Sequence, residues 1–284
     1  MISALRRVRY RASKTRLRVP LIWLRHRGLD SSDVFLASYP RSGNTWLRFQ
    51  LAEIMAGRGH GFENINQFAP ELGRQGRALP LLPGEGRLIK THELYRSEYK
   101  KAVYLVRDVR DVALSKYTRD HGLGVSNYWG ATEFDKYLSL FLQGKVAGFG
   151  PWQDHVHAWL DSPLAESANL LVVKYEDLRR DTDGALHKIL EFLGADVSPT
   201  VIRDAVKNNS LEKMRAKEDT AQLPWSNREE GRYICHGSVA GWRAKLTEAQ
   251  LQCIHHYAGS ALERLGYPVP KSLTAAEPGS LLSV

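Results

Sequence analysis

Four short, nearly continuous apolar runs punctuate the chain, at 34–38, 87–90, 102–106 and 170–173, each bounded by polar or turn-forming residues. Runs of four or five such residues predict strands buried on both faces. Helix-period stretches follow three of them, from Thr45 to about Met55, from Asp111 to about Thr118, and from Asp181 to Leu193, where Gly194 supplies a stop. Strand then helix, repeated, implies an α/β domain of three layers: a mainly parallel sheet flanked by helices. Ligands in such sheets bind at the carboxyl ends of the strands. Trp152 and Trp159, seven apart, and Leu251, Ile254, Leu262 and Leu265 predict packed helix faces. Two Gly- and Pro-bearing stretches, 57–86 and 223–241, break the rhythm and read as loops, with lids or binding loops as the functional expectation.

Charge changes the picture of partners. The 284 residues carry a formal net charge of +9, which by itself suggests a polyanion or an anionic membrane. Nine of the 40 Lys and Arg residues, and none of the 31 Asp and Glu, lie in 1–29, so the whole excess belongs to a basic N-terminal arm. The arm predicts either a solvated tail or peripheral contact with anionic lipid, and no specific nucleic acid. Its longest apolar run, 20–24, is too short for a secretion signal, and no stretch approaches the ~20 residues of a membrane span. Cys235 and Cys253 form neither a zinc pair nor a disulfide framework, which favours a reducing, cytoplasmic setting. The expected organisation is the arm at 1–29, one domain over 30–270, and a loose tail at 271–284.

Candidate chemistry gathers at the strand ends. Ser38-Tyr39-Pro40-Arg41-Ser42-Gly43-Asn44-Thr45-Trp46 runs from the first strand directly into a helix. A Gly-containing turn there delivers backbone N–H groups and a helix N-terminus to an anion, with Ser42, Asn44 and Thr45 adding side chains. It lacks the second glycine and the Lys-Ser/Thr of a triphosphate-binding loop. Lys90 and His92, two residues apart at the end of the second strand, place a cation beside a base on one side of the sheet. Arg107 leaves the third strand with Ser115 a turn into the next helix, a pairing suited to a phosphate. Arg110 and Asp111 could equally form a surface ion pair, and Tyr175, at the fourth strand end, either faces a nucleotide base or packs in the core. His155, His157, His255 and His256 lack the i, i+4 pairing of metal ligands, and structural or solvent roles are expected for them.

Together these segments resemble the sulfotransferases that use 3′-phosphoadenosine-5′-phosphosulfate (PAPS), particularly the cytosolic type and its bacterial relatives, from about Val34 to Tyr267. Residues 39–46 are similar to the family's 5′-phosphosulfate loop, and residues 107–115 to its 3′-phosphate motif. Further matches are Lys90-Thr91-His92, Tyr175-Glu176-Asp177-Leu178, and Phe141 to Val146 leading to Gly150-Pro151-Trp152 and His155-Val156. The resemblance implies a P-loop-like nucleotide fold and transfer of a sulfuryl group to an acceptor hydroxyl, without a metal, leaving adenosine 3′,5′-bisphosphate (PAP). It implies His92 as general base, Lys90 as stabiliser of the sulfuryl group, and Arg41 as the charge on the bridging oxygen. Ser42, Gly43, Asn44 and Thr45 would hold the 5′ side, Trp46 would stack on adenine, Arg107 and Ser115 would bind the 3′-phosphate, and Tyr175, Ser210 and Gly237 would complete the nucleotide site.

The chain departs from that pattern in several places, two of them at expected cations. Arg41 stands where Lys is usual, and a planar guanidinium bonds differently from an ammonium. The family's Arg-Lys-Gly appears here as Cys235-His236-Gly237, so two 3′-phosphate cations are missing, with Arg232 or Arg243 as candidate substitutes. Two other classes of function stay open on the residues alone: a metal-dependent small-molecule kinase, and a non-enzymatic binder of membrane or nucleic acid acting through the arm. Nothing in the sequence separates a small molecule, a glycan and a lipid as the acceptor.

Overall fold

The computed structural model describes residues 28–269 apart from 58, 127–129, 147, 222, 224–231, 233, 235 and 236, together with Pro20, Leu24 and His26. Most of the basic arm, the tail at 271–284, the Cys235-His236 pair and much of the 223–241 stretch lie outside the described residues. The strands are β1 (Val34–Ser38), β2 (Pro80–Leu82), β3 (Gly86–Thr91), β4 (Lys101–Val106) and β5 (Leu170–Lys174). Among the described residues from Val34 on, the helices are α1 (Asn44–Ala56), α2 (Ile65–Phe68), α3 (Val109–Gly122), α4 (Phe134–Leu142), α5 (Trp152–Leu160) and α6 (Pro163–Glu166). Five more follow: α7 (Tyr175–Arg180), α8 (Thr182–Leu193), α9 (Pro199–Asn208), α10 (Leu211–Thr220) and α11 (Glu248–Arg264).

The sheet order is β2-β3-β1-β4-β5, with β1 paired in parallel to both β3 and β4, and β5 parallel to β4. All four parallel strands therefore end on one edge of the sheet. Period-2 alternation divides their side chains between two cores. Phe35, Ala37, Ile89, Tyr104 and Val106 face one, and Val34, Leu36, Leu88, Val103 and Leu105 face the other. Burial of both faces explains why these strands read as apolar runs rather than alternating ones.

Three expectations need correction. β5 is not buried on both faces: it closes one edge of the sheet, and Val172 is 37% exposed. The 57–86 stretch is not a bare loop, since it holds α2 and β2, and Ala69 and Leu72 within it are buried. Its strand β2 runs antiparallel to β3, a pairing that three residues are too few to announce. Arg110 forms no surface pair with Asp111; it is fully buried, its guanidinium bonded to Asp108 and lying over the Trp242 ring with Cζ 4.0 Å from the centroid.

The helix faces pack as their periodicity predicts. Trp152 and Trp159 are fully buried, and Trp159 stacks on Tyr104 and Tyr99 at centroid distances of 5.6 and 5.8 Å. His155 belongs to this core, bonded to the Tyr104 hydroxyl at 3.0 Å, and burial depresses its pKa to about 3. Ile254 and Leu262 of α11 are likewise inside. No helix among the described residues is long and apolar enough to cross a membrane.

Candidate active site

The turn from β1 into α1 is shaped by close approach. Gly43 caps α1 in the left-handed region at φ 94°, and no side chain caps this helix. A Cβ at Gly43 would stand 2.5 Å from Cδ2 of Tyr175, so only glycine lets the loop lie on that ring. The uncapped first turn presents its N–H groups outward, with no acidic side chain to neutralise the helix dipole. Arg41 also adopts a positive φ of 76°, a strained state for a residue with a Cβ and one that concentrates at functional sites.

The neighbouring strand ends lean on this loop. Arg41 Nε donates to Ser115 Oγ at 3.0 Å, joining the β1 loop to α3. Arg107, at the end of β4, donates to the carbonyls of Arg41 (3.1 Å) and Ser238 (2.8 Å), and its Cζ lies 4.5 Å from the centre of the Tyr175 ring. Asp111 accepts from the backbone N–H groups of Ala240 and Trp242 and so anchors the segment carrying Gly237 and Ser238. Trp46 donates its indole N–H to the Asn209 carbonyl at 2.8 Å and meets Tyr175 edge-on.

Lys90 and His92 close the other end. Lys90 Nζ donates to Glu71 at 3.0 Å, and the segment bearing Glu71 is stitched to β3 by Lys90 N–H to Pro70 and Leu72 N–H to Lys90. Burial drives the Lys90 ammonium down from its ordinary pKa, with Glu71 opposing. Burial raises the Glu71 carboxyl, but the Lys90 charge and hydrogen bond, together with His92 and Arg74, outweigh it and hold Glu71 well below the usual carboxylate range. His92 Nδ1 lies 2.7 Å from the Ser38 carbonyl. A carbonyl only accepts, so Nδ1 carries the proton and Nε2 keeps its lone pair. Burial, reinforced by the Lys90 charge, lowers His92 to about 3, leaving it neutral at pH 7.

One cleft of about 190 Å³ joins these groups. That is more than ten times the roughly 10–15 Å³ that one water needs. Of the residues expected from sequence, Arg41, Gly43, Asn44, Thr45, Trp46, Lys90, His92, Arg107, Ser115, Tyr175 and Gly237 all line it. Two do not. Ser42 is buried behind the turn with its hydroxyl unpartnered, and Ser210 caps α10, its hydroxyl accepting from Lys213 N–H. Asn44 lines the cleft but donates its amide inward, to the Leu36 carbonyl and Ser38 Oγ, so its side chain secures the strand end.

Neither candidate substitute for the missing cations reaches the cleft. Arg232 pairs with Asp219 at 2.9 Å, and Arg243 lies over Trp242. Sequence reasoning missed Lys116, Arg119 and Arg179, which do line it. Arg119 and Arg179 follow Ser115 and Tyr175 by four, a spacing that puts each pair on one helix face and could have signalled them. Glu71 had no such signal. Among the described residues no group of three or more His, Cys, Asp or Glu is placed to hold a metal ion.

The donor's anionic nucleotide suits what is present. Arg107 Nε is a buried polar atom without a partner, and the first turn of α1 beside it has neither a side-chain cap nor an acidic residue.

Comparison with known proteins agrees. Residues 80–266 match the sulfotransferase domain family. Sulfotransferase 2A1 of Macaca fascicularis is 30% identical over 249 residues, covering 79% of this chain and 82% of the relative. The 3-alpha-hydroxysteroid sulfotransferase of Cavia porcellus is 28% identical over 79% of this chain and 81% of its own. Among solved structures, retinol dehydratase in complex with retinol and PAP superposes with a TM-score of 0.67 at 22% identity, covering 90% of this chain and 88% of that one. Mouse sulfotransferase SULT7A1 complexed with PAP gives 0.62 at 24% identity, covering 87% and 88%. At these identities the solved structures speak for the fold alone; the family match and the 30% relative carry more, and by them the chain belongs to the PAPS-dependent sulfotransferases.

Proposed function

We propose that the enzyme moves a sulfuryl group from PAPS to an acceptor hydroxyl, with His92 as the general base. The observation that carries the reading is the Nδ1 contact of His92 with the Ser38 carbonyl at 2.7 Å, on a ring that burial keeps neutral. It leaves Nε2 as the acceptor of the hydroxyl proton, and the Lys90 ammonium belongs to the same cleft wall.

When bound, the donor supplies the sulfuryl group, whose bond to the 5′-phosphate oxygen breaks as the acceptor oxygen bonds to sulfur. Such transfers pass through a loose in-line transition state in which positioned cations and N–H donors are the useful catalysts. Lys90 lies where it can stabilise charge on the sulfuryl oxygens. Arg41, steered by Ser115, and the N–H groups of Gly43 to Trp46 meet the charge growing on the departing phosphate. Trp46, Tyr175 and Gly237 bound the nucleoside end, and Arg107 and Ser115 serve the 3′-phosphate. The domain carrying this site runs over 30–270.

The acceptor to try first is a small hydroxylated lipid. The guinea-pig relative is named for a hydroxysteroid, and one structural neighbour is retinol dehydratase in complex with retinol, so the fold accommodates such alcohols in other proteins. Incubating the enzyme with sulfur-labelled PAPS and a panel of sterols, retinoids, phenols and glycans tests both parts. Label transferred to an alcohol together with PAP release is the expected result. PAP formation with no labelled organic product in any arm would count against a hydroxyl acceptor.

A further inference from the structure

The cations of the cleft differ in what already holds them. Arg41 donates to Ser115, Lys90 to Glu71, Lys116 to Asp120, and Arg107 spends two nitrogens on backbone carbonyls. Arg119 also has an interaction within the protein. Arg179 lines the same cleft, partly buried, and makes no hydrogen bond or ion pair among the described residues. Its guanidinium lies over the Trp46 ring with Cζ 5.2 Å from the centroid. A planar fork of donors placed so, without a carboxylate, suits an anion carried in by a ligand.

Its surroundings say which anion. Arg179 follows Tyr175 by one helical turn, and Arg107 covers the face of that tyrosine. A side chain grown from Gly237 would meet the Tyr175 hydroxyl at 3.3 Å and Arg179 Cζ at 3.9 Å. Arg107, Tyr175, Gly237 and Arg179 thus meet at the nucleoside end, whereas Lys90 and His92 stand against Glu71 and Ser38. Arg107 already spends two of its five N–H donors on main-chain carbonyls, so a dianion beside it gains from a second guanidinium. Cys235 and His236, just before Gly237, bring no fixed cation, and Arg232 and Arg243 are engaged elsewhere.

We propose that Arg179 grips the nucleotide's 3′-phosphate, supplying on α7 the charge that the residues before Gly237 lack. This rests on the sulfotransferase reading of the cleft. The test is calorimetry on the full chain with adenosine 3′,5′-bisphosphate and with adenosine 5′-monophosphate, for wild type, Arg179→Met and Arg179→Lys. The methionine keeps the aliphatic stem over Trp46 and removes the charge, and Arg179→Gln carries the same test should it fail to fold. A charge-assisted contact predicts roughly 10–100-fold weaker bisphosphate binding, with monophosphate affinity nearly unchanged and partial recovery in the lysine variant. Equal loss for both nucleotides would assign Arg179 to packing on Trp46 and overturn the phosphate role, as would unchanged bisphosphate affinity. Wild type that binds neither nucleotide would sink the reading of the cleft itself, and this inference with it.

Discussion

The two ends of the cleft are built on different principles. The end where β1, β4 and β5 finish, proposed above for the nucleoside, is held by contacts to main chain: Arg107 to the carbonyls of Arg41 and Ser238, Trp46 to that of Asn209, Asp111 to two N–H groups, and Gly43 pressed on the Tyr175 ring. At the end with Lys90 and His92 the side chains depend on one residue each, the Glu71 carboxylate for the lysine and Ser38, by its carbonyl and hydroxyl, for the histidine. A binding platform gains from many redundant ties, whereas a base and a cation have to be tuned, and one neighbour suffices to set a tautomer or a charge. Damage at the first end should therefore appear in affinity, and damage at the second in rate.

The largest effect expected is on rate. His92→Ala should lower turnover by about 10²–10⁴-fold, the range for a positioned base, while calorimetric affinity for PAP changes little. Near-normal turnover would remove His92 from that role. Gly43→Ala drives a Cβ into the Tyr175 ring at a φ of 94°, and should cost about 1–3 kcal/mol of stability while weakening PAP more than it slows saturated turnover. Denaturant titration and calorimetry together read both parts. An unaltered affinity would show that the loop does not need its seat on the ring.

Smaller shifts separate tuning from structure. Glu71 raises the Lys90 pKa against burial, so Glu71→Gln should let it fall further and move the alkaline limb of the kcat profile to lower pH. An unmoved limb would mean that the Lys90 charge is not needed. His92 and His155, both depressed to about 3 chiefly by burial, bind protons more weakly folded than unfolded. Their contribution to stability is present above about pH 6.5 and is lost as pH falls from there toward 3. Thermal melts between pH 7 and 4 should show it, less steeply for a His155→Gln variant that folds.

Legibility in the sequence followed the same division. Strand ends, the glycine turn and the residues beside them are local features, because buried parallel strands need unbroken apolar runs and a helix must begin just after each. Edge position is not local: nothing in Leu170-Leu171-Val172-Val173 says that β5 has a neighbour on one side only. The 57–86 stretch misled for a related reason. Its Gly and Pro content describes the connections well but conceals the short β2 and the packing of Ala69 and Leu72, which depend on β3 and α1 being in place.

Composition and order thus carried the covered parallel sheet and brought a glycine turn, a histidine and an arginine to its strand tips. What they left open was assigned by through-space geometry: which ring nitrogen of His92 holds the proton, which acid faces Lys90, and which arginine lies over Trp46. The physical reason is range. Strand and helix formation follow from neighbours a few residues apart, whereas the state of a buried charge depends on whatever the fold brings within a few ångströms. Glu71 reaches Lys90 across 19 positions of chain, and Ser38 reaches His92 across 54.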